Sequence, residues 1–557
     1  MLDNYAIADN FSLLSKLMDI QGDNSFKAKS FSSAAFTVEK LPLQLQATPP
    51  EEISKIKGIG DSIGKAIQEM LQTGRLAALE AYLLKTPPGI LEMLKIKGLG
   101  PKKIATIWKE LEVETLGELL YACDENRLTL LKGFGQKTQD AVKQSIEFYF
   151  SNKGRYLYAQ VESLALSLEK ELRQLLAPAA VALTGQFRRN ENIIDEIAFV
   201  AALPAPDLQE KLTQLSVLTP LAAEEQALVW QHELHIKVKI YPATAASFEK
   251  ALFSTTACAS FLEHFNAVYD LDNIPANATE SDIFTQAGMD YIEPCQRYGG
   301  LAIDLARKRQ LPALITHTDI KGIIHSHSTW SDGEHTLQQM AMAAKEQGFE
   351  YLVISDHSRS AFYANGLSIE RIQAQHAEID ALNAQLAPFR IFKSIEADIL
   401  NDGNLDYPDE ILATFDLVIA SVHSNLKMSK EKAMARLMKA IENPYTTILG
   451  HMTGRLLLSR NGYPVDHQQI IDACAAHNVV IEINAHPRRL DIDWEWIPYA
   501  VEKGVMLSID PDAHSTDGFH DVYYGTLSAR KGGLTAAHNL SSFSAAELAA
   551  FISKKKI

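Results

Sequence analysis

The chain has 557 residues, enough for about three to five domains; 46% are hydrophobic and 22% charged, so large cores can form and wholesale disorder is excluded. A net charge of −16 argues against a surface coated in cations for nucleic acid. No apolar run reaches the ~18 residues of a membrane helix, and Met1-Leu2-Asp3-Asn4-Tyr5 lacks the basic start of a signal peptide. Cys123, Cys258, Cys295 and Cys474 show no CxxC spacing and predict reduced thiols in a cytoplasmic protein.

Charge is unevenly spread. Residues 1–150 hold 18 Lys and Arg against 19 Asp and Glu, so nearly all the negative charge lies beyond them. Apolar spacing at Ile7, Phe11, Leu14 and Leu17-Met18 predicts a helix from Met1 to about Asp19. One element then recurs three times: Ile56-Lys57-Gly58-Ile59-Gly60, Ile96-Lys97-Gly98-Leu99-Gly100 and Leu131-Lys132-Gly133-Phe134-Gly135. Two glycines around an apolar residue allow a tight turn that aims backbone N–H groups and a helix N-terminus at an anion. A single copy reads equally well as a plain αα-hairpin turn with glycine caps. Three copies, each with a lysine before the first glycine, favour binding of a phosphate backbone without sequence preference. The element resembles the helix-hairpin-helix motif, which makes Gly58, Gly60, Gly98, Gly100, Gly133 and Gly135 the candidate DNA contacts.

Residues 155–315 read as mixed α/β. Val181-Ala182-Leu183 and Ile236 to Ile240 are predicted strands, Leu301 to Leu314 a helix ending near Pro312, and a hinge is predicted before Thr318-Asp319-Ile320-Lys321-Gly322. From residue 321 short apolar strands alternate with helices, as in Tyr351 to Ile354, Leu337 to Glu346, Leu417 to Ala420, Lys430 to Ile441, Val479 to Ile483 and Val505 to Ile509. That is the pattern of a β/α barrel, whose functional residues sit at strand C-terminal ends.

Fourteen of the 17 histidines lie in residues 317–557. His325 and His327, Asp332, Asp356-His357, Glu396, His423, His451, and Asp512 with His514 follow predicted strands. Imidazoles and carboxylates without thiolate suit Zn²⁺, Mn²⁺ or Fe²⁺. Adjacent divalent ions can activate water and stabilise the oxygens of an in-line displacement at phosphorus.

Residues 321–557 resemble a PHP (polymerase and histidinol phosphatase) domain, a distorted (β/α)7 barrel with up to three metals. The resemblance implies that His325, His327, Glu396 and Asp512 hold the first metal, with these four at the catalytic core. Glu396, His423 and His451 would hold the second, and Asp332, His357 and His514 the third. Arg359, Arg455 and Arg460 stand close in sequence to these ligands and are candidate phosphate clamps. Asn484 and Arg489 lie in a segment typical of the family, without an assigned role.

The order of elements resembles the bacterial family X DNA polymerases (PolX) over essentially the whole chain. The multidomain architecture this implies is a helical lyase-like domain (1–85), a fingers-like domain with the second and third hairpins (86–152), an α/β nucleotidyltransferase-like palm (153–255), a thumb-like domain (256–316) and the PHP barrel (321–557). The family's Gly-Ser-x-Arg-Arg motif appears as Gly185-Gln186-Phe187-Arg188-Arg189, and its metal-binding aspartates fall on Glu196, Ala198 and, counting back from Pro242, Lys237. Asp195 lies one residue early, on the opposite strand face. Ser254-Thr255-Thr256-Ala257 stands for a Tyr-Phe-Thr-Gly motif. The lysine of relatives with lyase activity falls on Ala66, beside Lys65. The expected activity is a metal-dependent 3′–5′ exonuclease on gapped, nicked or 3′-ended DNA in repair, without the polymerase step and as a monomer. A working gap-filling polymerase, and a small-molecule phosphatase of the histidinol-phosphatase type, are the alternatives.

Overall fold

The computed structural model describes residues 2–555 apart from 125–126, 152–153, 225 and 459–460. The chain divides into two compact units, Met1–Lys153 and Gly154–Ile557.

The first unit is helical. Helix α1 (Asn4–Gln21) starts where the Asp3 side chain accepts the Ala6 N–H and stops at Gly22, whose φ of 80° a glycine tolerates without cost. It packs on α2 (Ser25–Glu39), capped by Asn24. Helices α3 (Asp61–Thr73), α4 (Pro101–Leu111) and α5 (Gln136–Ser151) each begin just after the second glycine of a repeat. One apolar core joins them all, from Ile7 to Ile146.

In the second unit, α6 (Tyr158–Leu175) covers a five-stranded sheet ordered β1-β2-β5-β4-β3. Its strands are β1 (Val181–Thr184), β2 (Glu196–Ala201), β3 (Leu218–Pro220), β4 (Leu228–His232) and β5 (Lys237–Pro242). Only β2 and β5 run parallel, with Glu196 beside Lys237 and Ala198 beside Lys239. Helices α7 (Phe248–Thr256), α8 (Glu280–Gln286) and α9 (Gly300–Arg307) enclose a separate aromatic core of Phe253, Phe261, Phe265 and Phe284. The helix predicted over 301–314 ends early, at Arg307. Arg309 turns left-handed at φ 59°, and Pro312 disfavours helical geometry in the residue before it.

The remainder is a barrel of seven parallel strands in chain order: β6 (Gly322–Ser326), β7 (Tyr351–Ile354), β8 (Arg390–Asp398), β9 (Leu417–Ser421), β10 (Ile448–Leu449), β11 (Val480–Asn484) and β12 (Leu507–Asp510). Ser326 bridges Ala513 and brings the last strand back to the first. The strands are almost wholly buried, as expected where helices cover a parallel sheet. Around them run α10 (Leu337–Glu346), α11 (Ile369–Leu386), α12 (Lys430–Ile441) and α13 (Val522–Lys531), the first three capped by Thr336, Ser368 and Ser429. Helix α13 also meets α6 and the segment before β2: Tyr523 Oη donates to Glu162 at 2.8 Å and Lys531 Nζ to Asn192 at 2.8 Å. Among the described residues no helix is long and apolar enough to cross a membrane.

Candidate metal centre

The barrel strands deliver their polar residues to one mouth. His325 lies on β6 and His327 just beyond it, while Glu396 is on β8, His423 and His451 follow β9 and β10, and Asp512 and His514 follow β12. His325 and Asp512 take φ of 61° and 53°, conformations that non-glycine residues hold only when their surroundings enforce them and that cluster at functional sites. A register shift between Ile323 and Ser326 accompanies the turn at His325.

Glu396 is the hub. Its Oε1 lies 3.3 Å from His325 Nε2, 3.1 Å from His423 Nε2 and 3.0 Å from His451 Nε2; its Oε2 lies 2.9 Å from His357 Nδ1 and 3.7 Å from His327 Nε2. Asp512 Oδ1 stands 3.1 Å from His327 and 3.4 Å from His325. Asp332 reaches His514 at 3.4 Å and His357 at 3.6 Å. All nine residues singled out in the sequence thus meet. Three groups have donor atoms mutually within 4.8 Å: His325, His327 and Asp512; His357, Glu396 and His423; and His327, Asp332, His357 and His514. Compared with the expected partition, His357 takes the place of His451 beside Glu396 and His423, Glu396 falls outside the His325, His327 and Asp512 group, and His327 also joins the Asp332 group; His451 still meets Glu396 Oε1 at 3.0 Å.

The donor set fits divalent cations. Nε2 of His325 and Nδ1 of His327 are buried and make no hydrogen bond. Burial would drive Glu396 towards its neutral form, but His423, His325 and His357 hold its carboxyl well below the usual range. Burial likewise opposes charge on His423, yet Glu396 and Asp398 push it up to about 10. His327, packed against His514 and His357, falls to about 3, burial being the main cause. Buried carboxylates facing this many imidazoles call for cations among them.

A supporting layer orients the rings. Glu482, fully buried on β11, takes His325 Nδ1 at 2.5 Å through one oxygen and the His451 N–H at 3.0 Å through the other. His325 Nε2 is thereby turned towards Glu396, as in carboxylate–histidine–metal triads. Asp398 does the same for His423 Nδ1. Asn484 donates to Glu482 and to Asp512. Asp356 accepts from Ser328, Ser331 and Gln375. Sequence reading named Asp356 and Asn484 without this role and missed Glu482 and Asp398, although a lone glutamate inside Val480-Ile481-Glu482-Ile483 was a visible signal.

The candidate clamps differ. Arg455 is committed to structure: its guanidinium donates to the carbonyls of Arg489 and Leu490 and to Asp493 at 2.5 Å, leaving it unsuited to hold phosphate. Arg359 pairs with Asp406 but keeps half its side chain exposed. Arg460 lies outside the described residues. Arg489 approaches Asp512 at 3.8 Å and stands at the centre itself.

In the helical unit the three repeats share one geometry. Gly58, Gly98 and Gly133 have φ of 91°, 88° and 90°. The N–H of Ile59, Leu99 and Phe134 closes each turn onto the carbonyl three residues earlier, and each of these side chains is buried. Lys57, Lys97 and Lys132 are exposed beside them.

A helix-hairpin-helix domain model matches residues 2–76, and a SAM-like helix-hairpin-helix tandem matches residues 90–147. The DNA polymerase/3′-5′ exonuclease PolX of Bacillus subtilis is 32% identical over 556 residues, covering 96% of this chain and 97% of that protein. The chain belongs to the PolX family. It is also similar to probable phosphatases: one of Thermoanaerobacter sp. strain X514 is 27% identical over 211 residues (36% of this chain, 78% of the relative), and one of Vibrio parahaemolyticus is 28% identical over 179 residues (30% and 61%).

The five-stranded sheet of this PolX chain carries a different kind of cluster. Glu196 and Ala198 face β5. Lys239, opposite Ala198, binds Glu196 at 2.9 Å and Glu224 at 2.8 Å. Lys237, the position reached by counting, is exposed on the same strand face, so the cation in contact with Glu196 is Lys239. Asp195 points away and is taken by Arg155 at 2.8 Å and by Gln186, which also accepts the Asp195 N–H. Arg188 forms a two-pronged bridge to Glu280 at 2.5 and 2.9 Å. Arg189 donates to Thr256 O at 2.6 Å and pairs with Glu191.

Proposed function

We propose that this PolX chain is a divalent-metal-dependent 3′–5′ exonuclease and phosphodiesterase acting on gapped, nicked or 3′-ended DNA in repair, and that its palm no longer extends DNA. The observation that carries the first part is the convergence of nine imidazole and carboxylate side chains at the barrel mouth, with Glu396 at their hub. Bound there, up to three Mn²⁺, Zn²⁺ or Fe²⁺ ions would supply a water nucleophile and stabilise the oxygens at phosphorus. His325, His327, Glu396 and Asp512 hold the central position. Glu482 and Asp398 fix the ring orientations. Arg489, 3.8 Å from Asp512, and the half-exposed Arg359 would bind phosphate oxygens in this reading, whereas Arg455 is engaged by Asp493 and two carbonyls.

The second part rests on Lys239. Two divalent ions bridging a primer end and a triphosphate need clustered carboxylates. Here a lysine ammonium fills that place beside Glu196, Ala198 offers no donor, and both arginines of the motif are engaged by protein groups.

The five modules from 1–85 to 321–557 divide the work. The hairpin turns grip the backbone, the palm and thumb-like region serve as framework, and the barrel cuts. Lys57, Lys97 and Lys132 each neutralise one phosphate in this reading. The triple alanine variant should lower the slope of log K against log salt by about 2.7 for duplex DNA, measured by fluorescence anisotropy. An unchanged slope would remove the hairpins from the interface.

One gel tests the whole reading. Gapped DNA labelled at either end is incubated with Mn²⁺, with and without dNTPs, beside His325→Ala. Shortening from the 3′ end that His325→Ala abolishes is the expected result, with no dNTP-dependent extension by either protein. Extension that survives His325→Ala would refute the inactive palm. The similarity to probable phosphatases favours a second reading, removal of 3′-phosphates by the same centre, and a 3′-phosphorylated oligonucleotide in the same gel tests it.

A further inference from the structure

The loop after His357, residues 358–366, is held from both sides by the segments that carry metal-binding residues. On one side Ser360 Oγ donates to Asp398 Oδ2 at 2.7 Å, while the other oxygen of Asp398 holds His423. The Ser360 N–H goes to Asp406 at 2.7 Å and the Arg359 N–H to Tyr407 Oη at 3.0 Å. On the other side Asn365 Nδ2 reaches the carbonyls of Trp330 and Ser331, beside Asp332. Arg371, on α11, ties the carbonyls of Asn365 and Gly366 to that of Trp330. The neck is shut: a Cβ on Gly366 would lie 1.9 Å from Ser358 O. Ala361 and Ala364 are buried. Within this fixed loop the Phe362 side chain is 88% exposed.

Scattered exposed apolar residues are ordinary. This one differs by its setting. It stands on a loop that is hydrogen-bonded on one side to the carbonyls of Trp330 and Ser331, just before Asp332, and on the other to Asp398, which holds His423. Arg359, half-exposed, lies three residues away in the same loop. The Arg359 guanidinium lies over the Tyr407 ring and pairs with Asp406, so the stacking platform is the Phe362 ring: an exposed aromatic ring can stack on the base of a single-stranded nucleotide. The tight tethering lowers the ordering entropy such a contact would otherwise cost.

We infer that Phe362 is a positioning residue that stacks on the nucleobase at the 3′ end of the DNA strand entering the centre. The inference rests on the exonuclease reading for its biological meaning but not for its test. The probe is a single-stranded oligonucleotide with 2-aminopurine at its 3′ end and a phosphorothioate at the scissile linkage, added to the full chain with Mn²⁺. Stacking quenches the fluorescence. Wild-type protein should quench it, Phe362→Ala should not, and Phe362→Trp should restore it. In parallel, kcat/KM is compared for a 3′ terminus with a base and for an abasic terminus. Wild type should prefer the base about tenfold, and Phe362→Ala should lose that preference through KM.

Equal quenching by wild type and Phe362→Ala overturns the inference, whatever the hydrolysis shows. Phe362-dependent quenching without any strand shortening supports the inference and instead refutes the exonuclease reading.

Discussion

Glu396→Gln should abolish hydrolysis, lowering turnover of both DNA ends and bis(p-nitrophenyl) phosphate on the order of 10³-fold or more. The substitution keeps the volume but removes the charge that five imidazoles surround. Metal content by mass spectrometry should fall with activity, since an amide donor is weaker and its NH₂ group would face the same rings. Glu482→Gln and Asp398→Asn give the scale. They hold ring orientation at 2.5 Å and should cost roughly 10–100-fold. If all three variants lost activity equally, Glu396 would be one support among several rather than the hub.

Glu280→Gln should be the most destabilising change in the region between the helical unit and the barrel. Glu280 is nearly buried and binds two guanidiniums, Arg188 at 2.5 Å and Arg297 at 2.6 Å. Arg297 is fully buried among Phe253, Phe284 and Tyr291. Removing the carboxylate takes the partner from the fully buried Arg297 and the two-pronged bridge from the partly buried Arg188, at a cost of about 3–5 kcal/mol. Hydrogen exchange of the amides of α7 and α8 would report it locally, which matters in a chain of several cores.

The same pair has a pH signature. Burial raises the Glu280 pKa, but Arg188 and Arg297 outweigh it and hold it below the usual 4.5. A depressed folded value means that the stabilisation is complete above the ordinary carboxylate range and is lost as pH falls through the folded value. Protection of α7 and α8 should therefore weaken in acid in the wild type, and Glu280→Gln should lack that component. An identical acid profile in the variant would assign the loss to other carboxylates.

The arginines of the nucleotidyltransferase motif illustrate how sequence and fold divide the information. Their spacing after Gly185 is legible, and so is the absence of aspartate at Glu196 and Ala198. Their present occupation is not, because Glu280 lies 92 residues from Arg188 and no local pattern announces the pairing. Lys239 shows the limit of counting along a strand. Two lysines share one face of β5, and only the register with β2 and the position of Glu224 decide which one meets Glu196. Arg455 makes the same point for the barrel, since closeness to His451 in sequence did not prevent its engagement by Asp493 and two carbonyls.

By itself the sequence determined what local periodicity encodes. That covers three glycine hairpins each with a lysine before its first glycine, alternating strands and helices from residue 321, and nine donors at strand ends, because side-chain direction in a strand and backbone freedom at glycine are properties of a few neighbouring residues. Only the tertiary structure decided which charges meet. Glu482 reaches His325 across 157 residues and Asp512 reaches His327 across 185, since closing the barrel brings β12 and β11 around to β6. In a buried site each charge must find its partner in space, and barrel closure, not spacing along the chain, chooses the partner.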